Sequence, residues 1–165
     1  MKIDKSTIFR DGKHREITFD EVLNKIVSFI DESPSYTYRL SIGTDSMTHA
    51  DSKFVLAIVL HRIGNGGIYF YKKFTEEPIR DLRSKLYAET QLSIDTTNLI
   101  VDELFNKDEA ILDKLNLSIH LDIGEHGPTK DLIAELEGWV KAIGYDYEIK
   151  PNSYAASFVA DKYSK

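Results

Sequence analysis

A chain of 165 residues, 42% hydrophobic and 29% charged, has the composition of one soluble globular domain and is too short for two ordinary ones. It has no cysteine, which excludes disulfides, thiolate chemistry and a Cys-based zinc site, and no apolar run nears the ~18 residues of a membrane span. The formal net charge of -6 argues against a general coating of nucleic acid but leaves room for an acidic metal centre. The opening Met-Lys-Ile-Asp-Lys lacks the apolar stretch of a signal peptide, so a cytoplasmic location is expected.

Residues 1–17 read as polar and irregular apart from Ile8, Phe9 and Ile17. At Thr18 the pattern becomes definite. Thr18-Phe-Asp-Glu21 is a capping box, and Ile17 and Val22 occupy the two positions of a hydrophobic staple. Val22, Ile26, Phe29 and Ile30 then share one helical face, and Ser33-Pro34 closes the helix. This amphipathic helix makes residues 1–37 an N-terminal extension to a main domain at 38–165.

Leu40 and Ile42 alternate with Ser41 and Gly43, the period-two pattern of a strand. The strand runs into Thr44, Asp45 and Ser46, where alternation stops. A carboxylate at the inner edge of a sheet costs several kcal/mol unless a cation or hydrogen bonds offset it, so Asp45 calls for something opposite it. The nearly unbroken apolar run 54–60 predicts a strand covered on both faces. Gly64-Asn-Gly-Gly67 predicts a hairpin into a third strand. Together these form an antiparallel meander.

Pro78 marks a helix start at its first position, and the helical stretch runs to about Asn106. Leu82, Leu86 and Glu89 fall on one stripe, which puts Glu89 on the core-facing side. Asp95-Thr-Thr97 is a candidate bend. The alternating stretch 117–123 is a fourth strand ending in the loop Gly124-Glu-His-Gly-Pro128. Thr129 is the candidate cap of the next helix, with Leu132, Ile133, Leu136, Trp139, Val140 and Ile143 inward and Gly144 as its stop. Residues 145–149 make a short last strand, and Ser153 is placed to cap a final helix carrying Asp161.

The order is βββ, α, β, α, β, α with a helix in front, and Asp45, Glu89, Asp122 and Asp161 sit on the first strand, first core helix, fourth strand and last helix. That arrangement resembles the ribonuclease H-like superfamily. At closer range the chain is similar to the YkuK-type bacterial RNase H-like family, through Ser41-Ile-Gly-Thr-Asp-Ser46, His120-Leu-Asp-Ile-Gly124, Ile149-Lys-Pro-Asn-Ser-Tyr-Ala-Ala-Ser157 and Ala160-Asp-Lys162. The resemblance implies an α/β fold with a mixed five-stranded sheet, its first three strands antiparallel, and helices on both faces. It implies a nuclease that hydrolyses phosphodiester bonds in RNA or DNA with two divalent ions, Mg²⁺ or Mn²⁺. Hard oxygen ligands suit such ions, and a few carboxylates suffice because water and phosphate complete the shell. On this resemblance Asp45 bridges both ions, with Glu89 and Asp122 to one side and Asp161 to the other. His126, shortly after Asp122, is placed to move a proton or orient water. The partner is nucleic acid of either type, with no membrane, and these residues specify no oligomeric state.

Each acid also fits a local role. Asp45 can cap a turn, Glu89 can stand half-exposed on its helix, Asp122 can bond the glycine loop, and Asp161 can pair with Lys162 or Lys165. Their joint order favours one shared site. The five histidines (His14, His49, His61, His120 and His126) show no paired ligand spacing, and residues 124–130 are not a Walker A loop. Asp45 is followed by Ser46 and Met47 rather than an Asp-x-Glu pattern, which speaks against a proofreading-exonuclease type. Tyr69 and Tyr71 beside Lys72 and Lys73 suit base stacking, or simply a half-exposed strand. The competing functional reading is a catalytically silent module of the same fold that binds nucleic acid or a protein partner.

Overall fold

The computed structural model describes residues 1–46 and 53–155. The chain runs through β1 (Ile8–Asp11), β2 (Glu16–Thr18), α1 (Phe19–Glu32), β3 (Tyr38–Ser46), β4 (Lys53–Arg62), β5 (Gly67–Thr75), α2 (Leu82–Lys107), β6 (Leu115–His120), α3 (Ile133–Ile143) and β7 (Asp146–Glu148). The strands make one sheet in the order β2-β1-β5-β4-β3-β6-β7. β3, β4 and β5 form the expected antiparallel meander. β6 lies parallel beside β3 and β7 parallel beside β6, so β3 is central and its C-terminal end adjoins that of β6.

The α/β class holds, but among the described residues the sheet has seven strands where five were expected. The two additional strands come from residues read as irregular. β1 buries Phe9 and Asp11 and exposes Ile8 and Arg10, and it pairs with β2 and with β5. Four and three residues give too few repeats for a periodicity signal, and the edge of β5 supplies the pairing that their sequence does not announce.

The capping box forms as the sequence predicts. The Glu21 amide donates to Thr18 Oγ1 at 3.1 Å, and the Thr18 amide donates to Glu21 Oε1 at 3.3 Å. α1 buries Phe19, Val22, Leu23, Ile26 and Ile30 against Leu40, Ile42, Ile58 and Phe70 of the sheet. Each such side chain removed from water contributes about 1.5–3 kcal/mol. α2 packs on the same face, and α3 covers Ile119 of β6 beside it through Leu136 and Val140. Among the described residues, all three helices lie on this one face. The final helix expected after Ser153 falls, from residue 156 on, outside the described residues, and Asp161 with it.

α2 begins at Leu82, four residues after the expected first position Pro78, because Asp81 is its cap and accepts from the Ser84 amide at 2.8 Å. It is unbroken through 95–97. Thr96 and Thr97 are buried there, and their hydroxyls donate to the carbonyls of Leu92 and Ser93, both at 2.7 Å. That local satisfaction lets a helix carry small polar residues on its core side without a bend.

Candidate functional site

The site is built where β3 and β6 end side by side and α2 crosses them. Asp45 is the penultimate residue of β3, and Asp122 follows β6 by two residues. Glu89 lies in the second turn of α2 and is 3% exposed, on the core side as its spacing from Leu86 predicts. Leu82, the third member of that stripe and the first residue of α2, is 38% exposed. One turn after Glu89, Ser93 Oγ meets Thr44 Oγ1 at 2.8 Å. This buried contact locks α2 to the end of β3 and so fixes Glu89 against Asp45.

Asp122 is held by backbone pairing that continues past the last strand residues. The Leu121 amide donates to the Glu148 carbonyl at 2.9 Å, and the Lys150 amide donates to the Ile123 carbonyl at 2.8 Å. The following loop is closed by the Gly124 amide, which donates to Thr129 Oγ1 at 3.0 Å. Thr129 therefore makes no helix cap. A short 3₁₀ turn, Lys130–Leu132, precedes α3 instead.

One carboxylate oxygen from each of Asp45, Glu89 and Asp122 lies within 4.8 Å of the other two. Three acids that close repel one another once ionised. Burial first, then a hydrogen bond and charge repulsion from Asp122, pushes Asp45 from 3.8 up to about 8, while the Ser46 amide and Lys150 offset part of the rise. The Ser46 amide donates to Asp45 Oδ1 at 2.8 Å. Glu89 is raised well above its ordinary value by burial, then by Asp45 and Asp122. Its Oε2 is buried without a hydrogen-bond partner. A buried carboxylate oxygen with nothing to accept from costs several kcal/mol when charged. All-oxygen donors converging on one point, one of them unpartnered, suit a hard divalent cation.

The structure brings together three of the five residues singled out by sequence. His126 sits exposed on the loop after β6, outside the cluster, and Asp161 lies outside the described residues. A fourth side chain that sequence reasoning passed over enters the cluster: Lys150 Nζ stands 2.8 Å from Asp122 Oδ1. Its signal was the stretch starting at Ile149 that supported the resemblance, but linking Lys150 to Asp122 requires the parallel pairing of β6 and β7. His120, read as a strand residue, is 5% exposed. Its Nδ1 accepts from the Ala155 amide at 3.1 Å, and burial, helped by Arg39, lowers its pKa to about 4. It is therefore a neutral core histidine. Tyr71 is also buried, at 2% exposure, with its hydroxyl 2.8 Å from His14 Nδ1, which leaves its ring closed to base stacking.

The chain matches the family model described as Ribonuclease H-like over residues 21–165. It is 37% identical over 169 residues to the "Uncharacterized protein YkuK" of Bacillus subtilis (strain 168), covering 97% of this chain and 98% of that protein. No solved structure matches it significantly. Parallel β3 and β6 with an acid at the end of each, an acid on the helix crossing them, and both sequence matches lead to one conclusion: the chain belongs to the ribonuclease H-like family, which supports a nuclease-like or nucleic-acid-related role.

Proposed function

We propose that the protein is a divalent-metal-dependent nuclease that hydrolyses phosphodiester bonds in RNA or DNA. The observation carrying this reading is the convergence of Asp45, Glu89 and Asp122 within 4.8 Å, with Glu89 Oε2 buried and unpartnered. Asp45, Glu89 and Asp122 would hold the metal, with Asp161, which lies outside the described residues, as the expected further ligand. Mg²⁺ or Mn²⁺ ions bound there supply water activation and charge stabilisation of the leaving oxygen. The chain's own part is to hold the oxygens in place. The Ser46 amide orients Asp45, the Thr44–Ser93 contact sets the helix that carries Glu89, and Lys150 orients Asp122. His126, exposed on the loop after β6, is the candidate to carry a proton to the departing group.

The test is cleavage of a labelled panel (RNA, single-stranded DNA, duplex, RNA–DNA hybrid and four-way junction) with Mg²⁺, Mn²⁺ or chelator, by wild type and Asp45→Asn. Metal-dependent cutting that disappears in the variant is the expected result. No cutting, together with no Mn²⁺ binding by titration, would overturn it. One observation favours the silent-module reading: Lys150 already supplies a cation to Asp122. Under that reading Asp45→Asn leaves nucleic-acid or partner binding unchanged.

A further inference from the structure

Lys150 is not a surface lysine that happens to reach an acid. Its backbone amide is fixed on the Ile123 carbonyl at 2.8 Å, directly across from the segment that carries Asp122. Its aliphatic stem lies over Gly124: a Cβ built on that glycine would stand 3.1 Å from Lys150 Cβ and 3.6 Å from Cδ. Gly124 has ordinary backbone geometry, so what its missing side chain provides is a channel for the stem. The ammonium at the end of that stem meets Asp122 Oδ1 at 2.8 Å, on the acid that also interacts with Asp45. The head group remains half exposed, with 54% of the side chain accessible, so it can leave without disturbing the core.

We infer that Lys150 is a built-in, displaceable counterion of the acid cluster, which competes with a divalent cation for Asp122. This inference deepens the metal-site reading and rests on it. Three carboxylates within 4.8 Å cannot all be charged without a nearby cation. The ammonium serves that need in the metal-free protein, and a divalent ion must overcome it to gain the Asp122 oxygen. Lys150 is accordingly a positioning residue: it sets the cation concentration at which the site fills.

The experiment is Mn²⁺ titration by calorimetry, run on the full chain as wild type, Lys150→Met, Lys150→Arg and Gly124→Ala, with the melting temperature of each metal-free protein measured alongside. Removing a competing charge at ion-pair distance tightens Mn²⁺ binding by roughly tenfold in Lys150→Met, while that variant melts lower than wild type without metal. Lys150→Arg keeps the charge and returns affinity to within about threefold of wild type. Gly124→Ala crowds the stem and shifts affinity in the Lys150→Met direction by a smaller factor. Equal or weaker Mn²⁺ binding in Lys150→Met overturns the inference and leaves the metal site standing. Binding by Lys150→Met alone supports the competition in its strongest form and sinks the nuclease reading for wild type. Binding by neither overturns both.

Discussion

Two acidic positions, one on β1 near an edge of the sheet and one around the end of central β3, behave oppositely. Asp11 on β1 is 6% exposed, yet its carboxylate accepts from the amides of Lys13 and Arg15 at 2.9 and 3.0 Å and stands 3.4 Å from both the Arg15 and Lys25 side chains. Burial alone would raise its pKa, but those amides and cations outweigh it and the net shift is downward. Glu89 is as secluded, Asp45 is only partly buried, and with far fewer donors both are pushed up. Burial alone thus does not set the direction of the shift. The count of donors weighs as much: Asp11 is saturated by its own chain, whereas the cluster at β3, β6 and α2 has fewer donors for its oxygens.

The largest break in that contrast is Asp122→Asn, which should remove metal-dependent cleavage by at least about a hundredfold while leaving the fold intact. Asp45→Asn should do the same and also raise the melting temperature of the metal-free protein by relieving repulsion. A rise seen only with Mn²⁺ present would contradict this account. Asp11→Ala should do the reverse. It orphans two amides and two cations and destabilises by about 2–4 kcal/mol in urea unfolding, with cleavage per folded molecule unchanged. Next comes pH. Asp45 is raised from 3.8 to about 8, so between those values the metal-free native state keeps a proton that the unfolded chain releases. Its contribution is fully present below about pH 4 and is lost as pH rises toward 8. Asp11, shifted downward, contributes above its unfolded value and loses that contribution as pH falls through its folded value. Thermal melts with chelator from pH 4 to 8 should therefore slope down in wild type and less steeply in Asp45→Asn; parallel slopes would exclude Asp45 as the source. The smallest effect is Thr129→Val, which removes the acceptor for the Gly124 amide and costs about 0.5–1.5 kcal/mol with the helicity of α3 retained.

Legibility in the sequence followed the range of the interaction. The capping box at Thr18 and Glu21 is written within four residues and forms as read. Glu89 was legible from Leu86 because helical spacing is rigid. Asp45 and Asp122 were legible as strand-end acids, and their meeting came from the family resemblance rather than from spacing. Thr129 was misread because a threonine before a helix has two uses, capping and closing the preceding loop, and only the position of Gly124 decides between them. β1 and β2 were missed because pairing creates them, β1 on the edge of β5 and β2 on β1. Lys150 was missed for the same reason: its contact with Asp122 depends on two strands whose parallel alignment no local pattern encodes.

The sheet's outer rims bear on how the protein behaves at high concentration. Among the described residues, its outermost strands, β2 and β7, have only three residues each. β1 crosses the long strand β5 at Phe70 and Tyr71, and the stretch beyond carries Lys72 and Lys73. An approaching strand from another molecule would find room for only a few ladder hydrogen bonds, or a run of positive charge. Short, charged rims of this kind disfavour growth of the sheet by strand addition.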